Sequence, residues 1–437
     1  MSPASLGGAA SLARRALSVE RGVRHSRVTR RRFLANGGAL ANALGTLDLL
    51  AQVAWVPDRP APVAVPLPDI QFDLAAYVPR ARVVDGIRVP FGPVHTVFAT
   101  AALARTPTRA DQQRLSDALA TIEAHYPWAP GGLFLHIGYG LPYFGRLPRG
   151  LFDLYVPRLL ADTRRFVLEE AVPAPTDVHP GNPEVRKLRF AVPVRIERND
   201  MLFTLRGDNP AYLADALAWL GGSDSLAGHP VASPRLSAGL TFTSSRVLFA
   251  QLGLPRRLAA RRGLPYGPLI NPRSATWMGL SDQSGEGSAA APVVTFRGAD
   301  GVRLTTAQRG DYLDHGAIQH LAHTILDLQQ FYDPEDGGFT ERVRCMFRSP
   351  PLPDQPTTRR PLHLRLAGPG LDGMDVPGGA SQPKLQFAMF VPTAEVFATL
   401  RRAVPVGELE RLLTATRRQN FLVPPRRHRA FPLLELA

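Results

Sequence analysis

The chain has a single cysteine, Cys345, in 437 residues, and only two lysines, Lys187 and Lys384, among its 51 basic residues. A lone thiol excludes an internal disulfide framework and any multi-cysteine zinc or iron–sulfur centre. Phosphate-cradling Gly-x-x-x-x-Gly-Lys loops and Gly-x-Ser-x-Gly nucleophile turns are missing as well, which removes nucleotide enzymes and the common serine hydrolases. His95, His125, His136 and His179 are scattered, without the four-residue helical spacing that holds a metal ion. Charge is not scarce: the net value is +14. Its distribution nevertheless argues against nucleic acid. Residues 1–33 hold eight arginines against Glu20 alone, so half of the excess lies in a leader. The rest is spread without a basic run interleaved with aromatics that could follow a phosphate backbone.

What is present is the content of an ordinary folded protein, 45% hydrophobic and 20% charged. The length suits two domains and a terminal segment. Thr29-Arg30-Arg31-Arg32-Phe33-Leu34 precedes an Ala/Gly/Leu-rich stretch running to Val56, the layout of a twin-arginine signal. This predicts export through the Tat translocase to an extracytoplasmic or membrane-associated location. Asp48 interrupts the stretch, and no clean small-x-small site follows before the proline-rich Pro57–Pro68. Cleavage and anchoring therefore stay open at this point. The expected divisions are a leader over 1–56, a linker over 57–90, and domains over 91–252 and 253–437.

Hydrophobic periodicity predicts a repeated order of elements. Val94–Ala101 reads as strand, Arg109–His125 as helix, Gly132–Tyr139 and Ala191–Leu205 as strands, Ala211–Leu220 as helix and Ala238–Phe249 as strand. After a connector over Gly253–Gly279 the pattern recurs. It runs through strand Ile318–Leu328, helix Gly338–Phe347, strands Leu362–Leu366 and Leu385–Val391, helix Thr393–Ala403 and strand Phe421–Val423. Two successive β-α-β-β-α-β units predict an α+β protein of two tandem ferredoxin-like domains, paired as in a dimeric α+β barrel.

Between the units, Asn271-Pro272-Arg273 and then Gly279-Leu280-Ser281-Asp282-Gln283 resemble the Gly-x-x-Asp-Gly signature of dye-decolourising peroxidases. Gly316–Asp333 and Arg342–Phe347 resemble the strand and helix that follow it, and the tandem order matches that family's fold. The runs beginning at His95, His125 and Tyr139 look closest to a Tat-exported branch. The resemblance covers most of residues 90–430. It implies a haem b peroxidase that reduces hydrogen peroxide at the expense of a reducing substrate, and it is compatible with an oligomer. Asp282 matches the family's distal acid, although Gln283 stands where the signature ends in glycine. Arg365 is the best match to the distal arginine.

The axial ligand is harder to place. The family carries a histidine roughly twenty residues before that arginine, whereas this chain has none between His323 and His363. Arg348–Arg360 looks shortened. The substitutes are His363, His320, His323 and, as a thiolate, Cys345. His363 and Arg365 are two apart on one strand and share a face; His320 and His323 are three apart and face opposite ways. A relative that keeps the fold without the axial ligand, or a haem- or iron-handling protein, fits the same sequence.

Overall fold

The computed structural model describes residues 38–437 apart from 60–65, 78–81, 85–86, 90–91, 174–188, 237–238, 280–287, 300–301, 336–337, 347–360 and 404–407. The twin-arginine motif, Asp282, Gln283 and Arg348–Arg360 lie outside the described residues, as does the side chain of Cys345.

The first unit runs β1 (His95–Leu103), α2 (Arg109–His125), β2 (Phe134–Tyr139), β3 (Met201–Gly207), α3 (Pro210–Leu220) and β4 (Leu240–Phe249), preceded by α1 (Gly38–Val53). Helix α2 shows why these segments form. Thr108 and Asp111 make a reciprocal capping box at its start, and Leu115, Ala118, Leu119 and Ile122 recur at helical spacing to bury one face. The second unit comprises β5 (Ala317–Leu326), α5 (Phe339–Met346), β6 (Leu364–Asp372), β7 (Gln382–Val391), α6 (Ala394–Ala403) and β8 (Leu413–Val423).

Both units have the same strand order. Their sheets run β2-β3-β1-β4 and β6-β7-β5-β8, and every neighbouring pair within each is antiparallel. That order, second-third-first-fourth, is ferredoxin-like in each unit, as the sequence pattern implies. Leu422 of β8 pairs with Tyr139 of β2, joining the two sheets into one path that ends at β6 and β4. The two ends then come together. A Cβ added to Gly370 of β6 would sit 2.8 Å from the Val247 carbonyl of β4, and one added to Gly368 would sit 3.1 Å from the Phe249 carbonyl. The result is a closed barrel. Phe98, Leu202, Leu248, Leu321, Leu366, Ala388 and Phe421, from seven of the eight strands, fill its middle.

Three sequence expectations change. Ala191–Leu205 is strand only from Met201 onward, apart from a two-residue pairing of Arg195 and Ile196 with β8. In place of strand, Asp200 accepts from the Leu103 N–H and from the Arg146 guanidinium. The last strand begins at Leu413, well before Phe421. Buried Thr414, Thr416 and Arg418 mask its alternation. The connector holds a helix, α4 (Leu254–Arg262), bracketed by Gly253 and Gly263 at positive φ. Helix α1 packs into the core: Leu40, Ala43, Leu47 and Leu50 are all buried in it.

Candidate functional site

The outer face of the second sheet, which points away from the barrel interior, gathers several of the residues singled out by sequence. Arg365 pairs across the sheet with Met389, Met389 with His320, and His320 with Asn420. Directly opposed residues share a face. Arg365, Met389, His320 and Asn420 thus form one row across β6, β7, β5 and β8. Along the same face Leu385, Phe387 and Ala367 are half-buried. His363 is buried two residues before Arg365, just ahead of the strand, which begins at Leu364 and not at Leu362 as the pattern predicts.

The loop that carries Asp282 ends on this strand. The Arg365 N–H donates to Ser288 Oγ at 3.3 Å, and the Ala289 N–H donates to the His363 carbonyl at 2.8 Å.

His320 is held in a defined tautomer. Asn420 Nδ2 donates to the Glu169 carbonyl at 2.9 Å, which turns Asn420 Oδ1 toward His320 Nδ1 at 2.7 Å. An amide oxygen can only accept, so Nδ1 carries the hydrogen and Nε2 keeps its lone pair. Nε2 is buried and makes no hydrogen bond. The Phe397 ring of α6 stacks on the imidazole with centroids 3.4 Å apart. Burial, helped by the Arg418 charge, pushes the His320 pKa down to about 3 against the Asn420 hydrogen bond. On the far side of Phe397 lies a cavity of about 160 Å³, lined by Arg165, Glu169, Glu395, Arg402 and Asn420 among others.

His323 lies on the opposite face, at one end of the barrel interior, in a buried polar network that sequence did not signal. Its Nε2 lies 3.3 Å from Asp372 Oδ2 and its Nδ1 2.9 Å from Thr416 Oγ1. Asp372 also accepts from Gln386 at 3.2 Å and lies 3.6 Å from Lys384 Nζ, which itself donates to the Met374 carbonyl. Arg417 bridges Asp375 and Glu197, and Glu197 pairs with the fully buried Arg246. Burial lowers Lys384 to about 8 even though Asp372 and Asp375 pull it up. Burial would raise Asp375, but Arg417 outweighs it and holds the carboxyl at about 2. Three acids face three bases with His323 uncharged, a self-neutralising set. Lys384, one of only two lysines and placed inside a strand pattern, was the available clue.

A haem peroxidase site needs an acid and a guanidinium on one side of the porphyrin plane and an iron donor on the other. Of the first group, the outer sheet face offers the guanidinium of Arg365, while Asp282 lies outside the described residues. Among the candidate donors, His320 shares the face of Arg365, and His323 is bonded to Asp372 behind the sheet. The structure therefore sets Arg365 and His320 on one face, places His363 just ahead of the strand, and separates His323 from them.

Residues 93–355 match the model of a protein family described as "Family of unknown function (DUF7405)". The chain belongs to that family. The match crosses both ferredoxin-like units and stops before Arg365. No curated protein matches the chain. Solved structures with a similar course include a haem complex of a DypB variant from Rhodococcus jostii, at 14% identity and a TM-score of 0.48, covering 82% of this chain and 97% of that one. A dye-decolorizing peroxidase from Bacteroides thetaiotaomicron has a TM-score of 0.47 at 14% identity, with the same coverages. A dye-decolorizing protein from V. cholerae has a TM-score of 0.44 at 13% identity, covering 80% of this chain and 96% of that one.

Proposed function

We propose that this DUF7405 protein is an exported, haem-dependent, peroxidase-like protein whose site lies on the outer face of the second sheet. The observation that carries the reading is the tether between the signature loop and β6, in which Ser288 and Ala289 bond to the backbone of Arg365 and His363. The described end of the signature loop is thereby bonded to the strand that carries Arg365, the residue that the resemblance pairs with Asp282. In this reading Asp282 moves a proton between the oxygens of hydrogen peroxide, and Arg365, with its fixed fork of donors, stabilises the departing oxygen. Bound haem would supply the redox centre. The half-buried Leu385, Phe387 and Ala367 make part of the same face apolar. The twin-arginine motif supports export by the Tat translocase.

A second reading is favoured by the one-sidedness of the site: a relative that binds haem or another flat, carboxylate-bearing ligand beside Arg365 without turnover. Absorption spectroscopy of the folded protein after haem titration tests both. A Soret band that weakens at least tenfold in apparent affinity on Arg365→Leu supports a haem site here. No Soret band from protein with an intact circular-dichroism signal rejects haem in either reading.

A further inference from the structure

Helix α1 occupies the position of a signal's apolar region, directly after the twin arginines, yet its contacts are those of a core element. Leu40, Ala43, Thr46, Leu47 and Leu50 recur at helical spacing and are buried, while Asp48, Ala51 and Gln52 face solvent. The helix lies over the place where the barrel closes. Asn42 Nδ2 donates to the Ser245 carbonyl of β4 at 3.0 Å, and the Ala43 N–H donates to Ser245 Oγ at 3.2 Å. Thr46 Oγ1 donates to the Leu371 carbonyl of β6 at 3.3 Å. One helix is thus bonded to both end strands, whose mutual edge lacks a hydrogen-bonded ladder.

The chain that leaves the helix is fastened too. Trp55 exchanges two hydrogen bonds with Gln251, Arg257 Nε donates to the Val53 carbonyl, and Arg59 pairs with the buried Asp208. At ~24 Å for sixteen residues the helix falls short of a ~30 Å hydrocarbon core. No helix among the described residues is long and apolar enough to cross a membrane.

We infer that residues 38–59 are a permanent strap of the folded protein, sealing the β4–β6 seam, and are not lost by signal cleavage. An exposed sheet edge invites pairing with other chains, and a covering helix is one way to prevent it. Export by the twin-arginine route then leaves the helix in place.

Two measurements on the full chain test this independently of where the protein ends up. Leu47→Asp should lower the melting temperature by roughly 5 °C or more, whereas Ala51→Asp on the exposed side should leave it unchanged. If Leu47→Asp prevents folding while Ala51→Asp folds normally, the strap is equally supported. Identical melting of both variants and the parent would overturn it. The intact mass of the folded protein, recovered from whichever compartment holds it, should include Gly38–Arg59. A stable folded species beginning after Arg59 would overturn the inference even if export were confirmed.

Discussion

His320 and His323 are three residues apart in one strand and have opposite chemistry. His320 Nε2 keeps an unused lone pair under Phe397, while His323 is bonded through both ring nitrogens, to Thr416 and Asp372. Alternation along the strand fixes that division, so it was legible in sequence; the partners were not, because Asp372, Thr416 and Asn420 come from other strands. Asp372→Asn would leave Lys384 and His323 without their shared anion. Removing one member of a buried charged set costs about 3–5 kcal/mol, which chemical denaturation should register as a shifted midpoint.

Buried imidazoles also set the pH dependence. Burial holds His95, His136 and His320 at about 3, below the ordinary value of 6.5. The unfolded chain takes up these protons as pH falls below about 6.5 and the folded chain does not until about 3, so stability drops across that window. Each histidine contributes a slope of about 1.4 kcal/mol per pH unit there. His95→Gln should flatten acid unfolding by one proton. A slope equal to the parent's would contradict neutral burial of that ring.

At the scale of elements, the periodicity of Arg109–His125 and of the two strand–helix–strand halves was enough to give the order. It failed where burial is polar: Thr414, Thr416 and Arg418 of β8 are buried, a pattern that reads as loop until the neighbouring strands are known. The apolar residues of α1 and the arginines before it read as a leader, and periodicity alone does not show that Leu40, Ala43, Leu47 and Leu50 are buried in the core. The glycines of β6 make a further point. Gly370 has no room for a methyl group against the Val247 carbonyl, a rigid backbone neighbour. Gly370→Ala should therefore cost about 1–3 kcal/mol, although the change is usually mild in a strand, and thermal melting would show it.

For the whole molecule, tandem duplication of a ferredoxin-like unit yields a barrel with two faces per sheet and two different uses for them. The interior is filled by apolar side chains and a neutralised polar network. The outer face of the second sheet is left with a charged arginine beside half-buried apolar groups and the end of the signature loop. Sequence singled out Arg365 and the loop, since both belong to short local patterns. It left the iron donor undecided, because that role depends on which wall a residue occupies; His320 shares the face of Arg365 and His323 lies behind the sheet. The peroxidase reading stands or falls with the acid of the loop. In haem-loaded protein, Asp282→Asn should cut peroxide-dependent oxidation of a dye by about 100-fold or more while the Soret band persists. Turnover equal to the parent's in that same sample would contradict the assignment.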